Sequence, residues 1–291
     1  MSNAVVVGVD GSDESMEATR WAASEAAARN LPLHLLAAVG RRGGPGRLGA
    51  GAEAAGTTGG DAPESPPRHH LRTAVRHAQE VAPGHEIHEE MVGDGPARAL
   101  LQATENAALL VLGSRALGPV SGFVLGSVGL SVIAHATTPV VIVRHTGDGG
   151  GPVAVGVDLQ HTYGPVLDFA FEAAECRGTG VTIAHAWSPR ALYSYPSALP
   201  DPASMMRTEN HAEYELSKAI APWQRRFPRV PVEGQLAMGA TSPFLLDCAK
   251  QADLLVVGRR VRGHPFPTRI GPVTHAALHH APCPVAVVPH P

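Results

Sequence analysis

The chain is written twice. VVVGVDGSDESMEATRWAASEAA, from Val5, returns as VAVGVDLQHTYGPVLDFAFEAA, from Val153. ALLVLGSR, from Ala108, returns as DLLVVGRR, from Asp253, and HATTPVVIVRH, from His135, returns as HAPCPVAVVPH, from His280. The three matches keep their order and stand 148, 145 and 145 residues apart. That period is far longer than the roughly 20–50 residues of a solenoid repeat, so it means two homologous domains in tandem. They are expected at 1–146 and 151–291, joined by the Gly-rich HTGDGGGP.

Each copy alternates strand and helix. Ala4–Asp10 is a continuous apolar run, as a parallel strand buried on both faces requires. Ser12–Asn30 carries a helical stripe through Met16, Ala23 and Ala27, with Ser12 as N-cap. Strands are expected at Leu33–Val39, Glu86–Val92, Leu109–Gly113 and Val140–Arg144. Helices are expected at Pro67–Val81, at Gly95–Asn106 behind Asp94, and at Ser127–Ala136. Arg41–Pro66 has no period and reads as an excursion; the second copy places its own at Ser188–Pro202. The pattern predicts an α/β fold: two tandem open parallel five-stranded sheets with helices on both faces. The final strands, Val140–Val143 and Val285–Val288, are apolar edges that need covering.

Composition narrows the function. A formal net charge of −3 offers no general grip on nucleic acid or an anionic membrane. Aromatics at 4% supply few platforms for stacking single-stranded bases. No apolar run approaches the roughly 20 residues that cross a bilayer. The opening MSNAVVVGVDGS has no basic n-region or long h-region, and the three scattered cysteines suggest no disulfide framework, so the cytoplasm is the expected compartment.

In open parallel sheets, ligands sit beyond the carboxyl ends of the strands, where strand order reverses. Asp10 and Asp158 close the first strands of the two copies; Gly113 and Gly258 close the fourth. Asp10 also suits a turn in Asp-Gly-Ser, but Asp158 recurs without the following Gly-Ser. Gly126 and Ser127 precede a helix whose first amides and positive dipole end can receive an anion.

At VVVGVDGS, at the late glycine motif ending in Gly126-Ser127, and at HATTPVVIVR, the chain resembles a tandem universal stress protein. The likeness covers nearly the whole chain and implies a Rossmann-like fold of the adenine-nucleotide alpha hydrolase kind. Nucleotide-binding members carry Gly-x-x-Gly, nine residues, then Gly-Ser or Gly-Thr. The resemblance implies ATP, with or without Mg2+, as ligand. It implies contacts from Val9, Asp10, Val39, Leu112, Gly113, Ser114, Arg115, Gly118, Gly126, Ser127 and Val128. Val39 would offer its backbone to the base. It also implies pairing of the final strands between domains, as an intramolecular pseudo-dimer or in a homodimer, and a regulatory protein partner.

This chain departs from the motif at Ala116, where the second glycine belongs; Gly118 is near enough to absorb the bend. In the second copy, Val261 replaces that glycine and Pro272 replaces Ser or Thr, removing an N–H and a hydroxyl together. Asp158, Gly258, Arg259 and Gly271 are the candidates for an altered second site, and Arg259, Arg260 and Arg262 also read as a solvated basic loop. A P-loop lysine motif and a G-x-S-x-G elbow are both missing, so at most slow ATP hydrolysis is expected. His275, His279 and His280 read as a helix face rather than a metal site, and Cys248 and Cys283 as core thiols. Two other classes remain open: a nucleotide-independent scaffold, and an enzyme of the electron-transfer flavoprotein or adenylyl-transfer kind.

Overall fold

The computed structural model describes residues 3–39, 65–114, 126–144, 149–187, 202–261 and 270–291. Residues 41–64 and 188–201 of the two excursions, half of the linker (145–148), and the candidates Arg115, Gly118 and Arg262 lie outside the described residues.

The first half runs β1 (Ala4–Gly8), α1 (Asp13–Arg29), β2 (Leu33–Ala38), α2 (Pro66–Val81), β3 (Ile87–Val92), α3 (Pro96–Thr104), β4 (Ala107–Gly113), α4 (Ser127–His135) and β5 (Val140–Val143). The second runs β6 (Val153–Gly156), α5 (Gly164–Arg177), β7 (Val181–Trp187), α6 (Pro202–Arg226), β8 (Val232–Met238), α7 (Thr241–Cys248), β9 (Leu254–Arg260), α8 (Pro272–His280) and β10 (Val285–His290).

Local chemistry sets the ends of α1. The Ser12 side chain accepts from the Ser15 amide, Asp13 and Glu14 occupy the first turn, and Asn30 closes the helix at φ 52°. The helix α3 is shorter than the sequence suggests. Its N-cap is Gly95, while Asp94 stands one residue early and accepts from the Gly95 amide at 2.7 Å.

Strand order is β3-β2-β1-β4-β5-β10-β9-β6-β7-β8. Each five-strand half is parallel, and β5 pairs with β10 antiparallel through Val140↔Val287 and Ile142↔Val285. The two sheets expected from sequence are therefore fused into one of ten strands, because two apolar edges satisfy each other. One face packs on α1, α2, α5 and α6, the other on α3, α4, α7 and α8.

Side chains lock this seam. Arg259 is buried and donates to the carbonyls of Ala134, at 3.0 Å, and Ala136, at the C-terminal end of α4. Arg144 reaches the Ala281 carbonyl beyond α8. Helices α1 and α5 exchange equivalent contacts: Arg29 lies 5.2 Å from the Phe169 ring centroid, and Arg177 lies 5.2 Å from that of Trp21. Between them the buried Glu25 accepts from Arg29 Nε at 2.7 Å and from Arg177 Nη2 at 2.6 Å.

Candidate functional site

Strand order reverses between β1 and β4, and a pocket of about 200 Å3 opens there beyond their carboxyl ends. Seven residues singled out in the sequence line it: Val9 and Asp10 after β1, Leu112 and Gly113 from β4, and Gly126, Ser127 and Val128 at the head of α4. The first helical hydrogen bond of α4 runs from the Leu130 amide to the Gly126 carbonyl, at 3.0 Å. The amides of Ser127, Val128 and Gly129 therefore precede it and face out of the helix end.

The two glycines do different work. A Cβ on Gly126 would meet no described atom within 4 Å, and its φ of −61° is ordinary, so neither the packing of the described residues nor the backbone requires glycine there. What glycine supplies is clearance above the amides. A Cβ on Gly113 would fall 2.5 Å from the Glu14 carbonyl oxygen, so that glycine lets α1 pack on β4. Gly113→Ala is accordingly expected to lose about 1–3 kcal/mol in urea unfolding, by forcing helix and strand apart.

Asp10 has a structural task. Its Oδ1 accepts from the Ser12 amide at 3.0 Å and from the Ser12 hydroxyl at 2.5 Å, across Gly11 at φ 87°. The turn reading is thus met. It also accounts for Asp158, whose Oδ1 accepts from the Gln160 amide at 3.0 Å without a Gly-Ser.

Two candidates in the first half sit elsewhere. Ser114 is buried; its amide donates to the Val143 carbonyl, and it does not line the pocket. Val39 lies past the end of β2 with its amide spent on the Val92 carbonyl, and its neighbour Ala38 lines the pocket instead. Sequence reading also missed Ser12, Ser15, Leu36 and Pro96 in the lining. Strand alternation, which puts Leu36 and Ala38 on one face of β2, is the signal that could have found those two; nothing in the sequence points to Pro96.

The equivalent corner of the second half is built differently. Asp158 Oδ2 pairs with His161 Nδ1 at 2.7 Å. Burial alone would raise the Asp158 pKa, but the Gln160 and His161 contacts outweigh it and hold the carboxyl below its ordinary value. A Cβ on Gly258 would come within 2.6 Å of His290 Nε2, so the His290 ring covers that glycine. Burial, with the nearby Arg260, Arg259 and His161, pushes the His290 pKa down. Gly271 is the N-cap of α8, and Pro272 opens the helix with no amide to offer. Arg259 corrects the sequence reading: its guanidinium is spent on the α4 carbonyls across the seam and is not part of a solvated loop.

The His275 and His279 rings stand 4.3 Å apart on α8, but among the described residues no three His, Cys, Asp or Glu groups converge to hold a metal. Cys283 is buried and its thiol is pushed up to about 12 by burial. Cys248 is half-buried, with Sγ 3.1 Å from Gln235 Oε1. No described helix is long and apolar enough to cross a membrane.

The Universal stress protein family model matches residues 1–144 and again 151–289. The chain belongs to the universal stress protein family. It is a tandem member, and relatives of the same size exist. Universal stress protein Rv1996 of Mycobacterium tuberculosis (strain ATCC 25618 / H37Rv) is 30% identical over 315 residues, covering 97% of this chain and 94% of its own. Universal stress protein Rv2005c of the same strain is 31% identical over 299 residues, covering 97% and 96%. The crystal structure of a universal stress protein from Archaeoglobus fulgidus DSM 4304 matches with a TM-score of 0.65 at 18% identity, over 99% of both chains, and so shares the fold.

Proposed function

We propose that this universal stress protein binds ATP in its first half and acts as a nucleotide-dependent regulator in stress adaptation. The observation that carries the reading is the meeting of Asp10 with the bare amide end of α4 in one pocket at the strand-order reversal. Asp10 would hold the sugar side. The amides of Ser127, Val128 and Gly129, with the Ser127 hydroxyl, would hold phosphate oxygens. The absence of any described atom within 4 Å of a Cβ on Gly126 is compatible with a phosphate tail there. Bound ATP would supply an occupancy signal, which a protein partner reads.

Asp10 is the sole carboxylate among the described lining residues, so Mg2+ would arrive with the phosphates rather than in a protein cage. No Lys, Arg or His is among those described residues either.

Calorimetric titration of the full chain with ATP, ADP, AMP and cyclic AMP tests the reading. ATP is expected to bind at one site per chain, because in the second half His290 covers Gly258 and Pro272 lacks an amide. Asp10→Ala is expected to weaken ATP by about tenfold or more, through lost charge-assisted hydrogen bonds. The scaffold reading draws support from the engagement of the Asp10 carboxylate by its own turn. Absence of heat with all four nucleotides would establish it in place of the ATP reading.

A further inference from the structure

The outer edge of the first half carries two histidines side by side. In the parallel pairing of β2 with β3, His34 stands opposite His88. Their ring centroids are 4.7 Å apart, with the ring planes at 54°. His34 is half-buried and His88 is exposed. Strand alternation puts Glu90 on the face of His88, and the carboxylates of Glu90 and Glu86 lie near enough to His34 to act on its charge.

The spacing is that of two imidazoles on one metal ion. A ring nitrogen binds zinc at about 2.0–2.1 Å and stands about 1.15 Å from its own ring centroid. Two rings on one ion therefore have centroids about 4.5 Å apart at a right angle and about 5.2 Å apart at the tetrahedral angle. The observed 4.7 Å falls between them. The His88 tautomer is set as well. Its Nε2 donates to Glu86 Oε1 at 2.8 Å, and since a carboxylate only accepts, the neutral ring keeps its lone pair on Nδ1. A histidine held this way by a carboxylate is the usual support behind a metal ligand.

The second half lacks the pair. Val181 aligns with Val153 as Leu33 aligns with Val5, and the next residue, Thr182, stands opposite Glu233.

We propose that His34 and His88 together bind one divalent late-transition-metal ion, Cu2+ or Zn2+, with water in the remaining positions. Two imidazoles make a weak, exchangeable site, and their nitrogens favour these ions over Mg2+ and Ca2+, which take oxygen ligands. Glu86 orients His88, and Glu90 adds negative charge beside the ion. The site is separate from the proposed nucleotide pocket and does not depend on it.

Cu2+ is the probe, added to the full chain without nucleotide. Electron paramagnetic resonance of the parent is expected to show two imidazole nitrogens on the first ion bound. Calorimetry is expected to show that site weakened at least about tenfold in His34→Thr and in His88→Gln. The first variant installs the residue that the second half carries at this register, and the second changes a side chain that is 50% exposed, so both should unfold in urea as the parent does. His275→Gln breaks the other close pair of rings, His275 and His279, and should leave the site intact. Failure of the parent to bind Cu2+, parent-like binding by either His34→Thr or His88→Gln, loss of the site in His275→Gln, or displacement of Cu2+ by excess Mg2+ would overturn the proposal.

Discussion

Gly126→Asp is expected to abolish ATP binding, with a loss of about a hundredfold or more, while the protein folds as before. The added side chain is unobstructed by the described residues, since a Cβ there meets none of their atoms within 4 Å. The backbone at φ −61° and ψ 162° is the extended form that any N-cap residue adopts. An aspartate at that position caps the helix well, so stability should hold or rise by a few tenths of a kcal/mol. Its carboxylate, however, takes the amides of Val128 or Gly129 and repels the phosphates from the same ground. Lost affinity with unchanged stability is the signature. Titration with ATP reads the first and urea unfolding the second. A variant that unfolds, or one that binds ATP as the parent does, contradicts the role given to this helix end.

Glu25→Ala should produce the largest loss of stability. The carboxylate is 2% exposed and is the partner of two guanidiniums, one from each half. Removing it leaves two cations facing each other in a site shielded from water. Breaking a buried pair in this way costs about 3–5 kcal/mol. Urea unfolding followed by circular dichroism should show a loss of that size. The damage centres on the α1–α5 contact, so protease cleavage near the seam should rise as well. A loss under about 1 kcal/mol, as an exposed ion pair gives, would show that the triad is solvated.

Much of the architecture is legible in the sequence because buried parallel strands have no polar face to hide. The runs at Val5–Val7, Leu109–Leu112 and Val140–Val143 are apolar throughout, and each is a strand with both faces covered. The apolar final strands likewise foretell an edge contact, and β5 pairs with β10. Short helices are harder to bound. The helix α3 depends on Gly95 and Pro96 rather than on a side-chain cap, and a one-residue error places Asp94 wrongly.

Of the candidate site, the residues set by chain direction were readable: a strand end, a glycine, a helix start. Those set by side-chain orientation were not. Val39 and Ala38 are adjacent in sequence, yet only Ala38 reaches the pocket. Ser114 and Arg259 follow equivalent glycines, but one is buried beside β5 and the other crosses the seam to α4. The Ser114 destination is set by the pairing of β4 with β5, and that of Arg259 by the close approach of α4 across the seam, and neither is marked by the residues next to them in sequence.

The central claim is that a single helix end, at Gly126, receives the phosphates of one ATP. Native mass spectrometry of the full chain with ATP tests it most directly, by counting nucleotides per chain. One ATP on the parent chain and none on Gly126→Asp is the expected result. A parent chain that carries no ATP, or a Gly126→Asp chain that carries as much as the parent, would contradict it.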